Sequence, residues 1–188
     1  MIRTCLAASA LLLASTSAQA VTYSATFSGA AENPPNASTA TGFGILRTIG
    51  TSIFVDITYN GLGSGLVDGH IHCCAAPTGN AGVAIGFGGL PLGSTSGTIT
   101  RLLDLTQEGV FRAAFITASG GTIELARNRL FAELDLGNVY FNLHTANIPS
   151  GEIRGNLNAV PEPATWAMFV IGFGLVGSAV RRRSPAFA

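Results

Sequence analysis

The sequence predicts an all-β fold, an antiparallel β-sandwich or flattened barrel with one short helix, followed by a C-terminal transmembrane helix. Three observations carry this. Short apolar segments alternate with polar residues between residues 21 and 160, turn residues punctuate them about every ten positions, and helical periodicity occupies one stretch of that body. A separate uncharged run closes the chain.

In chain order, residues 1–20 place Arg3 ahead of an apolar run from Leu6 to Leu13 and end in Ala18-Gln19-Ala20. Small residues at Ala18 and Ala20 mark a signal peptide for Sec-type export machinery, cut after Ala20. Cys5 lies inside the apolar run and leaves with it.

Residues 21–160 then form the body, long enough for one domain with its own core. Strands are expected at Tyr23–Ser28, Gly42–Ile49, Ser52–Asn60, Leu66–His72, Ala81–Gly86, Gly97–Leu103, Arg112–Thr117, Val139–Thr145 and Glu152–Asn158. The third is the clearest, with Ile53, Val55 and Ile57 on one face and Phe54, Asp56 and Thr58 on the other. Gly50-Thr51 suits a tight hairpin. Ile123–Leu136 is the helix: Ile123, Ala126, Leu130 and Leu134 share a stripe with Phe131 beside it, Thr122 caps the start and Gly137 the end. Pro161 and Pro163 stop strand pairing and set the boundary to the tail at 161–188.

The body carries six arginines against nine acids and the chain has no lysine, so no basic stripe exists to hold nucleic acid. No nucleophile elbow, phosphate loop or paired-carboxylate pattern occurs either. The expected role is therefore not enzymatic, but binding or scaffolding.

Residues 164–180 carry no charge and run directly into Arg181-Arg182-Arg183. This length sits at the short end of the roughly 17–25 residues that span a bilayer as a helix. Trp166 would lie at the outer interface and the arginines inside, which leaves the body outside.

All three histidines fall in two expected strands, as His70-Ile71-His72 and in Asn142-Leu143-His144. Residues two apart share a strand face, so His70 and His72 project together, and His144 likewise opposes the apolar Phe141 and Leu143. If the strands are neighbours, three imidazoles converge, and the result is either a copper or zinc site with an open position or a structural polar network. Cys73 and Cys74 follow directly. Adjacent Cα atoms about 3.8 Å apart across a trans peptide are too close for an ordinary disulfide. A strained ring, a bridge to another chain, soft-metal ligation beside the histidines and two buried thiols all stay open. Glu152 and Arg154, two apart on one strand face, suggest an ion pair with each other or across strands rather than acid/base catalysis.

Several runs carry a specific resemblance: Phe27-Ser28-Gly29-Ala30-Ala31-Glu32-Asn33-Pro34-Pro35, Ala40-Thr41-Gly42, Tyr59-Asn60-Gly61-Leu62 and Gly69-His70-Ile71-His72. They continue with Val139 to Thr145 and Pro149-Ser150-Gly151-Glu152-Ile153-Arg154-Gly155. In this order they resemble the CHRD domain, named after chordin. The resemblance implies an extracellular β-sandwich without an established enzymatic activity. Cys73-Cys74 departs from it, standing where the family commonly has Gly-Pro. The paired and later histidines are also similar, by analogy alone, to those of copper-zinc superoxide dismutase, although three are too few for its two-metal site.

The tail, with Pro161-Glu162-Pro163, Trp166 and the arginines 181–183, resembles the PEP-CTERM sorting signal. That resemblance implies processing near Pro161 to Pro163 by an exosortase-type membrane protease in a Gram-negative bacterium. It further implies delivery to the cell envelope, the surface or an exopolysaccharide matrix, with the membrane helix serving at least transiently.

Overall fold

The computed structural model describes residues 20–161, 170–178 and 181. The expected signal position Ala18 and the tail positions Glu162, Pro163, Trp166, Arg182 and Arg183 lie outside the described residues. So does most of the expected signal peptide and part of the expected 164–180 helix. Residues 170–178 are helical and exposed, and among the described residues no helix is long and apolar enough to cross a membrane.

Nine strands form the body: β1 (Thr22–Ser28), β2 (Thr41–Ile49), β3 (Ser52–Asn60), β4 (Leu66–Cys73), β5 (Val83–Gly86), β6 (Gly97–Asp104), β7 (Val139–Thr145), β8 (Ile153–Asn156) and β9 (Asn158–Ala159). They make one antiparallel sheet in the order β5-β4-β7-β8-β1-β2-β3-β6, with β9 pairing β1 beside β8. The expected sandwich or flattened barrel is thus a single sheet in half-barrel form, because its end strands β5 and β6 do not pair with each other. The β2–β3 hairpin turns at Gly50, whose φ of 59° is the left-handed value a two-residue turn demands and glycine supplies without steric cost.

Alternation decides what faces inward. Leu46, Ile53, Val55, Ile57, Ile71, Phe141, Leu143 and Ile153 are fully buried, and the Phe27 and Phe141 rings stack 5.8 Å apart inside. Helix α2 (Ile123–Asp135) adds Ala126, Leu130 and Leu134 to this core, with Thr122 accepting a hydrogen bond from Leu125 N as its cap.

One expected strand is a helix. Residues Ala113–Ala118 form α1, not part of a strand over Arg112–Thr117. Phe111, held just before the helix by a bridge to Ile85, and Phe115 in its first turn pack their rings at 5.6 Å and both are buried, a contact that a strand running on through Arg112–Thr117 would pull apart, since residues four apart in an extended chain are separated by roughly 13 Å. Ala113 and Ala114 favour the helix as well.

Candidate metal centre

Strands β4 and β7 are neighbours, paired so that Asp68 faces His144, His70 faces Asn142 and His72 faces Tyr140. On the far side of β7, β8 places Arg154 against Asn142 and Asn156 against Tyr140. The alternation that sends Ile71, Phe141 and Leu143 inward therefore sends a polar layer outward. Yet the layer is covered: His70, His72, His144, Asn142 and Arg154 are all buried. Two loops lie over it, the stretch 29–36 after β1 and the stretch 75–82 after β4, joined where Asn80 Nδ2 donates to Asn33 O at 2.8 Å.

The partners of each imidazole fix its tautomer. His72 Nδ1 donates to Ala81 O and His144 Nδ1 to Pro149 O, each at 2.9 Å, because a carbonyl oxygen can only accept. His70 Nε2 donates to the Asp68 carboxylate at 3.0 Å. In the neutral rings this leaves three lone-pair nitrogens: His70 Nδ1, His72 Nε2 and His144 Nε2. His70 Nδ1 and His144 Nε2 face each other at 3.0 Å, and His72 Nε2 is buried with no partner. One ligand atom from each ring lies within 4.8 Å of the others.

Two lone pairs this close call for a cation between them. A proton on one ring would satisfy only that pair and leave His72 Nε2 unpartnered, whereas a metal cation serves all three nitrogens; burial pushes His70 below its ordinary range despite Asp68, and pushes His72 down to about 4 despite its bond to Ala81. Neutral imidazoles with their outer N–H groups anchored are the form that ligates metal, and the carboxylate behind His70 is a recurrent second partner of ligating histidines.

The cysteines are not part of this cluster. Cys73 and Cys74 form a disulfide with each other across a cis peptide, at a Cα separation of 3.0 Å. This corrects their expected place among the metal ligands. Strand alternation turns Cys73 into the core, away from His72, and the disulfide leaves neither sulfur as a thiolate.

Glu152 and Arg154 do not pair either. Glu152 is buried, and although burial opposes ionisation, hydrogen bonds from Thr145, Gly63 N and Ser38 keep its carboxyl below the usual range. Arg154 instead lies over the Tyr140 ring at 3.4 Å, and Tyr140 stacks on His72 at 4.8 Å. Its guanidinium donates to Asn156 Oδ1, Asn80 Oδ1 and Pro77 O at 3.1–3.3 Å, which ties the covering loop to β8.

Glu32 completes the layer. It sits buried on the 29–36 loop, where Asn142 Nδ2 donates to its Oε2 at 3.2 Å. Burial raises its carboxyl to about 7, against the opposing effects of Asn142 and Arg154. The folded state therefore holds a proton that the unfolded state has lost between the ordinary value of 4.5 and about 7, so this contribution is full below 4.5 and lost as pH rises through 7. Urea unfolding at both ends of that window is expected to show wild type losing about 3 kcal/mol relative to Glu32→Gln. Equal pH slopes for the two proteins would contradict it. Nothing in sequence periodicity marks Glu32, which lies in a loop; Asn142 and Tyr140 were legible only as neighbours of His144 on the polar face.

A family model described as the CHRD domain matches residues 23–157, and one described as the PEP-CTERM protein-sorting motif matches residues 159–183. No curated protein and no solved structure shows a significant match to the chain.

Proposed function

The chain belongs to the CHRD domain family and ends in a PEP-CTERM sorting motif, and on that premise we propose that its domain works outside the cytoplasm as a copper- or zinc-binding module. The sorting motif implies export to the cell envelope or surface and processing by an exosortase-type system. On this reading residues 1–20 are the leader, 21–160 the working domain and 161–188 the address, in a Gram-negative envelope or its matrix.

One observation carries the metal assignment: three buried imidazoles whose outer N–H groups are already committed turn their lone pairs toward one another. Imidazole nitrogen suits both metals, and three neutral donors leave a fourth position for water or a small ligand. Among the described residues no thiolate joins them, so the donor set is nitrogen alone.

Metal analysis of the purified protein loaded with copper or zinc is expected to find about one ion per chain, and His72→Ala is expected to weaken binding at least about tenfold. Bound metal should also raise the melting temperature of the wild type and not of the variant. A protein that stays metal-free, with a melting temperature indifferent to added copper and zinc, removes the assignment. The histidines would then be a polar network beneath a binding or scaffolding surface.

A further inference from the structure

Among the described residues, four buried side-chain polar atoms lack a hydrogen-bond partner, and three of them share the outer face of β4 and β7: His72 Nε2, Asn142 Oδ1 and Glu32 Oε1. The first belongs to the metal centre. The other two form a second problem of their own. A Cβ added at Gly151 would lie 2.5 Å from Asn142 Oδ1 and 2.8 Å from Glu32 Oε1, so both oxygens crowd the same spot beside this glycine. Two acceptors in that position, buried and unpaired, are costly.

A single proton resolves both. Asn142 Nδ2 already donates to Glu32 Oε2; with Oε1 as a hydroxyl, Glu32 gains the donor that Asn142 Oδ1 lacks, and the two together make the complementary set of a cyclic acid–amide pair. An ionised Glu32 leaves the two oxygens opposed.

Asn142 also links this pair to the histidines. It is the cross-strand partner of His70, lies two residues from His144 on the same face of β7, and is paired on its other side with Arg154. Of the charged and titratable groups in this layer, Arg154 from β8 acts on Glu32 directly, while His70 and His72 from β4 with Asp68 behind His70, and Tyr140 and His144 from β7, share the layer with its partner Asn142. On its solvent side Glu32 lines a cleft with Asn33, Pro35, Pro77, Thr78 and Asn156, all neutral, which gives a proton a way out.

We propose that Glu32 is the proton partner of the three-histidine site, a neutral acid paired with Asn142 while the histidines are empty and a carboxylate once they hold a divalent cation. This rests on the metal-binding reading above. The step balances simply. The cation gains one bond from a ring nitrogen of each histidine, the Glu32 O–H bond breaks, and its proton leaves through the cleft; any proton a ring gives up is common to proteins with and without the Glu32 carboxyl. The carboxylate that remains is held by the added positive charge and by Arg154, whose three hydrogen bonds draw on one N–H of each guanidinium nitrogen and leave capacity for more. Burying a carboxylate is tolerable when a compensating cation arrives with it.

The test is proton release on zinc binding, read with an indicator dye in weakly buffered solution of the purified full chain at about pH 6, below the Glu32 value. Wild type is expected to release about one proton more per bound zinc than Glu32→Gln. Glutamine keeps the cyclic pairing as an amide dimer, so this variant should fold and still bind zinc. Infrared difference spectra of wild type alone give a second reading. A protonated-carboxyl band should be present without zinc and vanish on adding it. Equal proton release by two zinc-binding proteins, or a carboxyl band that zinc leaves unchanged, overturns the proposal while sparing the metal site. Absence of zinc binding in wild type overturns both.

Discussion

Replacing Arg154 by Ala is expected to destabilise the protein by about 3–5 kcal/mol and to lower its melting temperature by about 10 °C. The reason is what the guanidinium holds. Arg154 is fully buried, yet its three hydrogen bonds go to neutral oxygens, on Asn156, Asn80 and Pro77, and its charge is set against the Tyr140 ring. Alanine removes all four contacts, leaves buried acceptors unpaired and opens a void under the 75–82 loop. That loop also presents Ala81 O, the group that orients His72. Metal affinity should therefore fall even in the fraction that stays folded. Arg154→Met, which fills the space but donates nothing, should lie between wild type and alanine. Thermal denaturation of the three proteins tests the ranking, and a loss under about 1 kcal/mol for alanine would show that the 75–82 loop holds without Arg154.

Phe141→Ala should cost a similar amount, about 3–5 kcal/mol, for a different reason. Phe141 points from the same strand to the opposite face. It is fully buried, stacks on Phe27 and meets Phe87 at 6.1 Å, so truncation leaves a cavity at the centre of the sheet. Because it lies between Tyr140 and Asn142, its anchoring also fixes the register that places those two beside His72 and His70. Urea unfolding should show a lower midpoint with little change in slope. Zinc, if bound, should restore part of the loss by mass action.

The contrast between these two residues shows where the sequence was readable. Phe141 announces its role by alternating with Tyr140 and Asn142, and period two is a local property that needs no partner to be seen. Arg154 shows by periodicity only its distance of two from Glu152, and those two do not pair with each other. Glu152 turned to Ser38, Gly63 and Thr145, and Arg154 to the 75–82 loop, Asn156 and the Tyr140 ring. The short helix at Ala113–Ala118 is hidden in the sequence for a related reason. Its six residues are too few to display a period, and burial of Phe111 with Phe115 settled the matter.

By itself the sequence determined the β-rich body, the helix from Ile123 with its Thr122 cap, the family resemblance and sorting motif, and the face on which each histidine stands. Those features follow from backbone periodicity and from contiguous motifs. Tertiary structure alone decided that β4 and β7 are neighbours, that Cys73 turns inward to the core while its sulfur pairs with Cys74, and that two loops close over the polar face. Strand order and loop cover depend on pairings between residues far apart in the chain, which no local pattern encodes. That is why three histidines readable one by one became a buried cluster, with Glu32 beside it, only in the folded protein.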